Sequence, residues 1–128
     1  MLVRFLAVCA AGAIGTGVRY LVALWANKTF GPAFPYGTLF VNLAGCFLIA
    51  VVLQALTSST HLPPTLRIAL ATGFLGGLTT YSSFNYETTA LLEQRATQAA
   101  LVNIVATTLG CFAAGIVGLL VARRVIGS

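Results

Sequence analysis

The stretch Gly73-Phe74-Leu75-Gly76-Gly77-Leu78-Thr79-Thr80-Tyr81-Ser82-Ser83-Phe84-Asn85-Tyr86-Glu87 carries two kinds of chemistry, suited to opposite charges. Gly76-Gly77-Leu78-Thr79-Thr80 has the composition of a helix break, and a break frees carbonyl oxygens from helical hydrogen bonds. Freed carbonyls are hard ligands for a small cation, as at the unwound helices of transporters. No carboxylate stands close by in sequence, which favours a monovalent ion over a divalent one. The run that follows, Tyr81, Ser82, Ser83, Phe84 and Asn85, offers hydroxyl and amide donors together with aromatic rings, whose edges are positive. Those groups suit an anion. Tyr81 and Phe84 are three apart, so they project from one face if the helix resumes after the break. Core packing is the ordinary role of aromatics at that spacing; the break and the adjacent serines favour an anion path here.

Polar groups elsewhere in apolar surroundings extend this reading. Asn42 stands about a turn and a half into an apolar segment with Thr38 one turn before it on the same face. Its amide can hold an anion weakly as a neutral donor, or it can bond helix to helix. Asn103, Thr107 and Thr108 form a stripe further on, and threonine hydroxyls also bond back to their own helix. Taken alone this stripe is structural; beside Ser82, Ser83 and Asn85 it becomes part of a polar track. Arg19 lies two-thirds along the first apolar segment. It either snorkels to headgroups or adds a positive field that concentrates anions.

Catalysis is poorly served. His61 falls in a loop without a partner, and Glu87 and Glu93 sit together near one end of a segment. No Ser, His and Asp set or metal-ligand cluster is available for nucleophilic or metal-assisted chemistry. Cys9, Cys46 and Cys111 show no CxxC or His-linked spacing and read as small buried hydrophobes.

The elements that hold these groups must be membrane helices. The chain has 128 residues, 59% of them hydrophobic and 7% charged, against about a quarter charged in a soluble domain. About 20 apolar residues span a bilayer, so one all-α domain over residues 1–128 with four spans is expected. The spans run from about Leu2 to Asn27, Gly37 to Leu56, Thr65 to Leu92 across the break, and Thr97 to Val125. The first apolar stretch continues past the small residues after Arg4, too far for a signal peptide, and reads as a retained helix. The net charge of +5 is scattered at span ends, where it matches anionic lipid and not nucleic acid.

Arg4, Arg67, Arg123 and Arg124 fall on one side, Lys28 and Arg95 on the other. This favours both termini inside and leaves insertion both ways round open. Small residues at Ala11, Gly12 and Gly15, and at Gly110, Ala114, Gly115 and Gly118, allow close helix contact, either within one bundle or at a dimer seam.

The run Tyr36-Gly37-Thr38-Leu39-Phe40-Val41-Asn42-Leu43, followed by Gly73 through Glu87, closely resembles the Fluc (CrcB) fluoride channels over the whole chain. Their hallmark is a Gly-Gly-Leu-Thr-Thr-aromatic-Ser-Ser/Thr-Phe run on the third helix. The resemblance implies a dual-topology homodimer in the bacterial inner membrane, two subunits packed antiparallel, with two fluoride pores and a structural sodium ion on the dimer axis. The sodium ligands would be the backbone carbonyls of Gly76 and Thr79. The pore asparagine falls on Asn42 and the pore aromatics on Tyr81 and Phe84. The polar track falls on Ser82, Ser83, Asn85, Thr38 and, less securely, Thr107. Tyr81 departs from the familiar phenylalanine and adds a hydroxyl that can donate to the ion or crowd its path.

The expected function is passive, fluoride-selective export that lowers cytoplasmic fluoride toxicity, with no enzyme activity. Fluoride is strongly hydrated, so a pore must replace lost water with donors that still release the ion. Two rivals differ in kind. A small multidrug-resistance exporter relies on a carboxylate in its first helix, where this chain has Arg19; a non-transporting assembly subunit would carry no ion flux.

Overall fold

The computed structural model describes residues 1–58 and 62–126, so the reading of His61 as a solvated loop residue lies outside the described residues. Among the described residues three helices are long and apolar enough to cross a membrane: α1 (Leu2–Phe30), α2 (Tyr36–Ser58) and α6 (Thr97–Ile126). Each extends past the expected ends. The first continues through Lys28 to Phe30 and stops where Gly31 takes φ 82, a left-handed conformation that glycine adopts without steric cost. Trp25, Phe30, Phe34, Tyr36 and Phe40 then stack across the turn into α2, with Trp25 edge-on to Phe30 at 5.6 Å. Such a cluster suits a membrane–water interface.

The stretch between α2 and α6 is not one helix. Pro63 is extended and Pro64 opens α3 (Pro64–Ile68) at a position where its missing N–H costs nothing. A π-helical turn over Ala69–Phe74 leads into α4 (Leu75–Leu78); α5 (Tyr81–Glu93) follows two extended residues. The extended pair is Thr79 (φ −87, ψ 154) and Thr80 (φ −155, ψ 116). The break is therefore narrower than the sequence suggests, because Gly76 and Gly77 are helical.

Close packing explains where those glycines went. A Cβ on Gly77 would meet the Gly12 carbonyl and sit 3.1 Å from the Thr16 nitrogen, and one on Gly15 would meet the Phe74 carbonyl. Backbone thus lies against backbone between α1 and the π turn with α4, the contact small residues permit in lipid. Gly110 and Gly118 perform the same task between α6 and α2, facing Leu43 and Phe47. Gly15, Gly77, Gly110 and Gly118 thus each have a packing role inside the subunit.

The molecule has little core of its own. Val41, Leu75 and Leu78 form a small buried cluster, while Leu2, Phe5, Ile14, Leu21, Val105 and Leu109 are among the many apolar side chains exposed on the long helices. A surface this apolar is matched to lipid.

Candidate ion pathway

Asn42 positions the break. Its Oδ1 accepts the Thr80 N–H at 2.8 Å and its Nδ2 donates to the Thr80 carbonyl at 3.0 Å, so one amide pairs with both polar groups of one residue. A continuing helix would have sent that Thr80 N–H to the Gly76 carbonyl. The diversion leaves the Gly76 oxygen without this partner. The Thr79 N–H and hydroxyl both donate to Leu75, at 3.0 and 2.9 Å, which closes α4.

Thr80 also starts α5. Its hydroxyl accepts the Ser83 N–H at 3.2 Å as an N-cap and lies 3.1 Å from the Ser83 hydroxyl and 3.2 Å from that of Ser82. Three hydroxyls therefore gather at the head of α5, each free to rotate its hydrogen. Phe84 is buried, whereas Tyr81 is 79% exposed although the two rings lie 5.4 Å apart at 57°. The sequence placed both on one face. The structure makes one a wall and leaves the other open.

Below this point the polar groups continue. Thr38 is buried and donates to Glu87 Oε1 at 2.8 Å, while Glu87 Oε2 is buried with no hydrogen-bond partner among the described residues. Behind Phe84, the Thr88 hydroxyl donates to the Phe84 carbonyl at 2.7 Å and accepts from Asn103 Nδ2 at 2.9 Å. Thr107 donates to Asn103 Oδ1 at 3.4 Å, so Asn103 serves as the bond between α5 and α6.

Three cavities are lined by these groups. The first, about 470 Å³, is lined by Asn42, Thr79, Thr80, Tyr81, Phe84 and Thr107 among others. The second, about 260 Å³, includes Thr80 again with Arg19, Thr38, Ser83 and Glu87. The third, about 210 Å³, includes Glu87 again and reaches Asn27 and Gln94 near the helix ends. Thr80 lines both the first and the second, and Glu87 both the second and the third. The half-buried Arg19 faces the middle cavity, where its charge acts on whatever enters.

Asn42, Tyr81, Phe84 and Thr107 thus line the first cavity, and Thr38, Ser83 and Arg19 the second. Ser82 joins only through Thr80, and Asn85 is exposed and lines none of the three cavities. Thr80, Glu87 and Thr88 were missed from sequence. Glu87 had a legible signal, since an ionisable residue within an apolar segment marks function by default.

The profile of the family described as CrcB-like protein, Camphor Resistance (CrcB), matches residues 6–119. A protein of Anaeromyxobacter dehalogenans called "Fluoride-specific ion channel FluC" is 52% identical over 124 residues, 97% of this chain and 98% of its own. Proteins of the same name from Sorangium cellulosum and Geobacter metallireducens are 48% and 44% identical, over 90% and 96% of this chain and 91% and 99% of theirs.

Proposed function

The chain belongs to the CrcB-like family, and we infer that it is a fluoride-selective channel whose ion path runs along the three neighbouring cavities. It is a multi-pass membrane protein, and its work is passive transport rather than catalysis. One observation supports the path: Thr80, with its backbone locked by Asn42, lines both the cavity of Phe84 and the cavity of Arg19.

Fluoride must exchange its water for donors. Asn42 has two amide hydrogens and spends one on Thr80, leaving a second for an ion. The hydroxyls of Thr80, Ser82 and Ser83 can turn toward an anion, and the Phe84 ring edge supplies a weak positive contact. No lysine or arginine stands in the cavity of Phe84, so the ion is not held too tightly to leave. Further along, Glu87 opposes an anion when ionised; Arg19, lining the same cavity, offsets it. Export down the gradient from cells acidified by hydrogen fluoride lowers cytoplasmic fluoride.

The assembly is part of the same proposal. The broken stretch from Pro64 to Glu93 makes the third of four membrane crossings in a single domain, and two subunits pair antiparallel as a dual-topology homodimer in lipid of the inner membrane. The donor set fits a sodium ion: Gly76 loses its helical N–H partner to Asn42, and the chain leaves the helix at Thr79. Gly76 lies on an open face, where a second subunit can approach. Gly76 and Thr79 carbonyls from both subunits would hold the ion, which supplies a fixed positive charge and ties the two breaks together.

Efflux from liposomes containing purified protein tests the reading, with fluoride compared against chloride. Fast fluoride and negligible chloride release is expected; equal rates, or no fluoride release, would overturn it.

A further inference from the structure

Cys46 and Cys111 were expected to be separate buried hydrophobes, but they stand side by side on facing helices. The register of α2 against α6 shows this. A Cβ on Gly110 would lie 2.9 Å from Leu43 Cδ2, one on Gly115 would lie 3.7 Å from the Cys46 carbonyl, and one on Gly118 would meet the Phe47 carbonyl. Cys111 is next to Gly110 and one turn before Gly115, which sets it beside Cys46. Both cysteines are free and half-buried. Together they line the wall shared by the cavity of about 470 Å³ and a second groove of about 700 Å³.

We propose that Cys46 and Cys111 form a two-sulfur binding site for a soft, thiophilic metal cation, of the kind that takes two thiolates in line. Among the described residues neither cavity is lined by a histidine or a carboxylate, so a hard cation, or zinc seeking four ligands, finds no completing set there. Thiolate pairs select soft ions. A divalent soft ion such as mercury(II) displaces one proton from each thiol and forms two metal–sulfur bonds. The two protons go to water in the groove, no electrons are transferred, and the product is neutral. Neutrality matters, because an apolar wall penalises residual charge.

The test uses mercury(II) ion on full-length protein carrying Cys9→Ala, which removes the exposed third thiol on α1. The protein is reduced, freed of reductant and measured as the intact subunit by mass spectrometry. The expected result is one mercury per subunit with loss of two protons, persisting against excess monothiol. Cys46→Ser and Cys111→Ser should each weaken retention about a hundredfold, the loss expected when a second linked contact disappears. Two mercury ions per subunit with one proton lost for each, no binding, or a single-serine variant that retains metal as well as the pair would overturn the site. The first readout uses the intact pair, so it stands even if a serine variant fails to fold.

Discussion

The amide of Asn42 grips the backbone of Thr80 at both ends, accepting its N–H at 2.8 Å and donating to its carbonyl at 3.0 Å across 38 residues of chain. Asn42 is therefore a structural partner of the break as well as the proposed donor to an ion. Asn42→Asp separates the two roles only in part. It keeps the acceptor for the Thr80 N–H, removes the donor to the Thr80 carbonyl, and sets a negative charge against an anion. Fluoride efflux in liposomes should fall by at least about tenfold, equivalent to about 1.4 kcal/mol. Unchanged efflux would remove Asn42 from the pathway.

Glu87 is the one acidic group on the route, and Thr38 holds only one of its oxygens. Glu87→Gln keeps the size and an acceptor for the Thr38 hydroxyl while removing the possibility of negative charge. If the carboxylate opposes fluoride, efflux from the variant should equal or exceed that of the unmodified protein. A tenfold loss would instead make the carboxyl group itself a necessary ligand.

Much of this arrangement was legible in sequence, and what was missed has a physical pattern. The long apolar segments fixed α1, α2 and α6, and the i, i+4 spacing of Thr38 and Asn42 did put both against the broken segment. Local composition located the break within Gly76–Thr80 but did not narrow it to Thr79 and Thr80, because Gly77 is spent on helix contact and the turn is held by Asn42 from far away in sequence. The π turn at Ala69–Phe74 depends in the same way on α1, where Gly73 packs against the Val8 carbonyl. Thr80 and the Cys46–Cys111 pair are likewise products of long-range register, which residue type alone does not reveal.

Tyr81 and Phe84 should behave differently despite their contact. Both line the first cavity, but Phe84 is buried and Tyr81 is largely exposed. Phe84→Leu removes the positive ring edge and should reduce fluoride efflux about tenfold or more. Tyr81→Phe removes only a hydroxyl and should leave efflux within about twofold. A large loss from Tyr81→Phe would show that the phenol donates to the ion.

Asn103 is the most buried polar residue of the site and joins Thr88 to Thr107. Its value is in holding α5 against α6, not in touching fluoride. Asn103→Leu should lower stability in detergent by about 1 kcal/mol, in the range of polar contacts between membrane helices. Fluoride selectivity over chloride should be unchanged in the protein that remains folded; lost selectivity would place Asn103 on the ion path.

Neighbouring glycines provide the last and sharpest comparison. A Cβ at Gly77 would collide with the Gly12 carbonyl and crowd Thr16, whereas one at Gly76 meets nothing within 4 Å inside the subunit. Gly77→Ala should thus destabilise the subunit by about 1–3 kcal/mol through overpacking, seen as a lower Tm and poor recovery. Gly76→Ala has no such clash, and in a helix alanine is favoured over glycine by up to about 1 kcal/mol. Its subunit should fold normally. If the Gly76 face is where a second subunit and a sodium ion meet, the same variant should nonetheless shift size-exclusion elution toward monomer or lose efflux when sodium is replaced throughout preparation. A Gly76→Ala protein that stays dimeric, and conducts equally with and without sodium, would place the cation seat elsewhere.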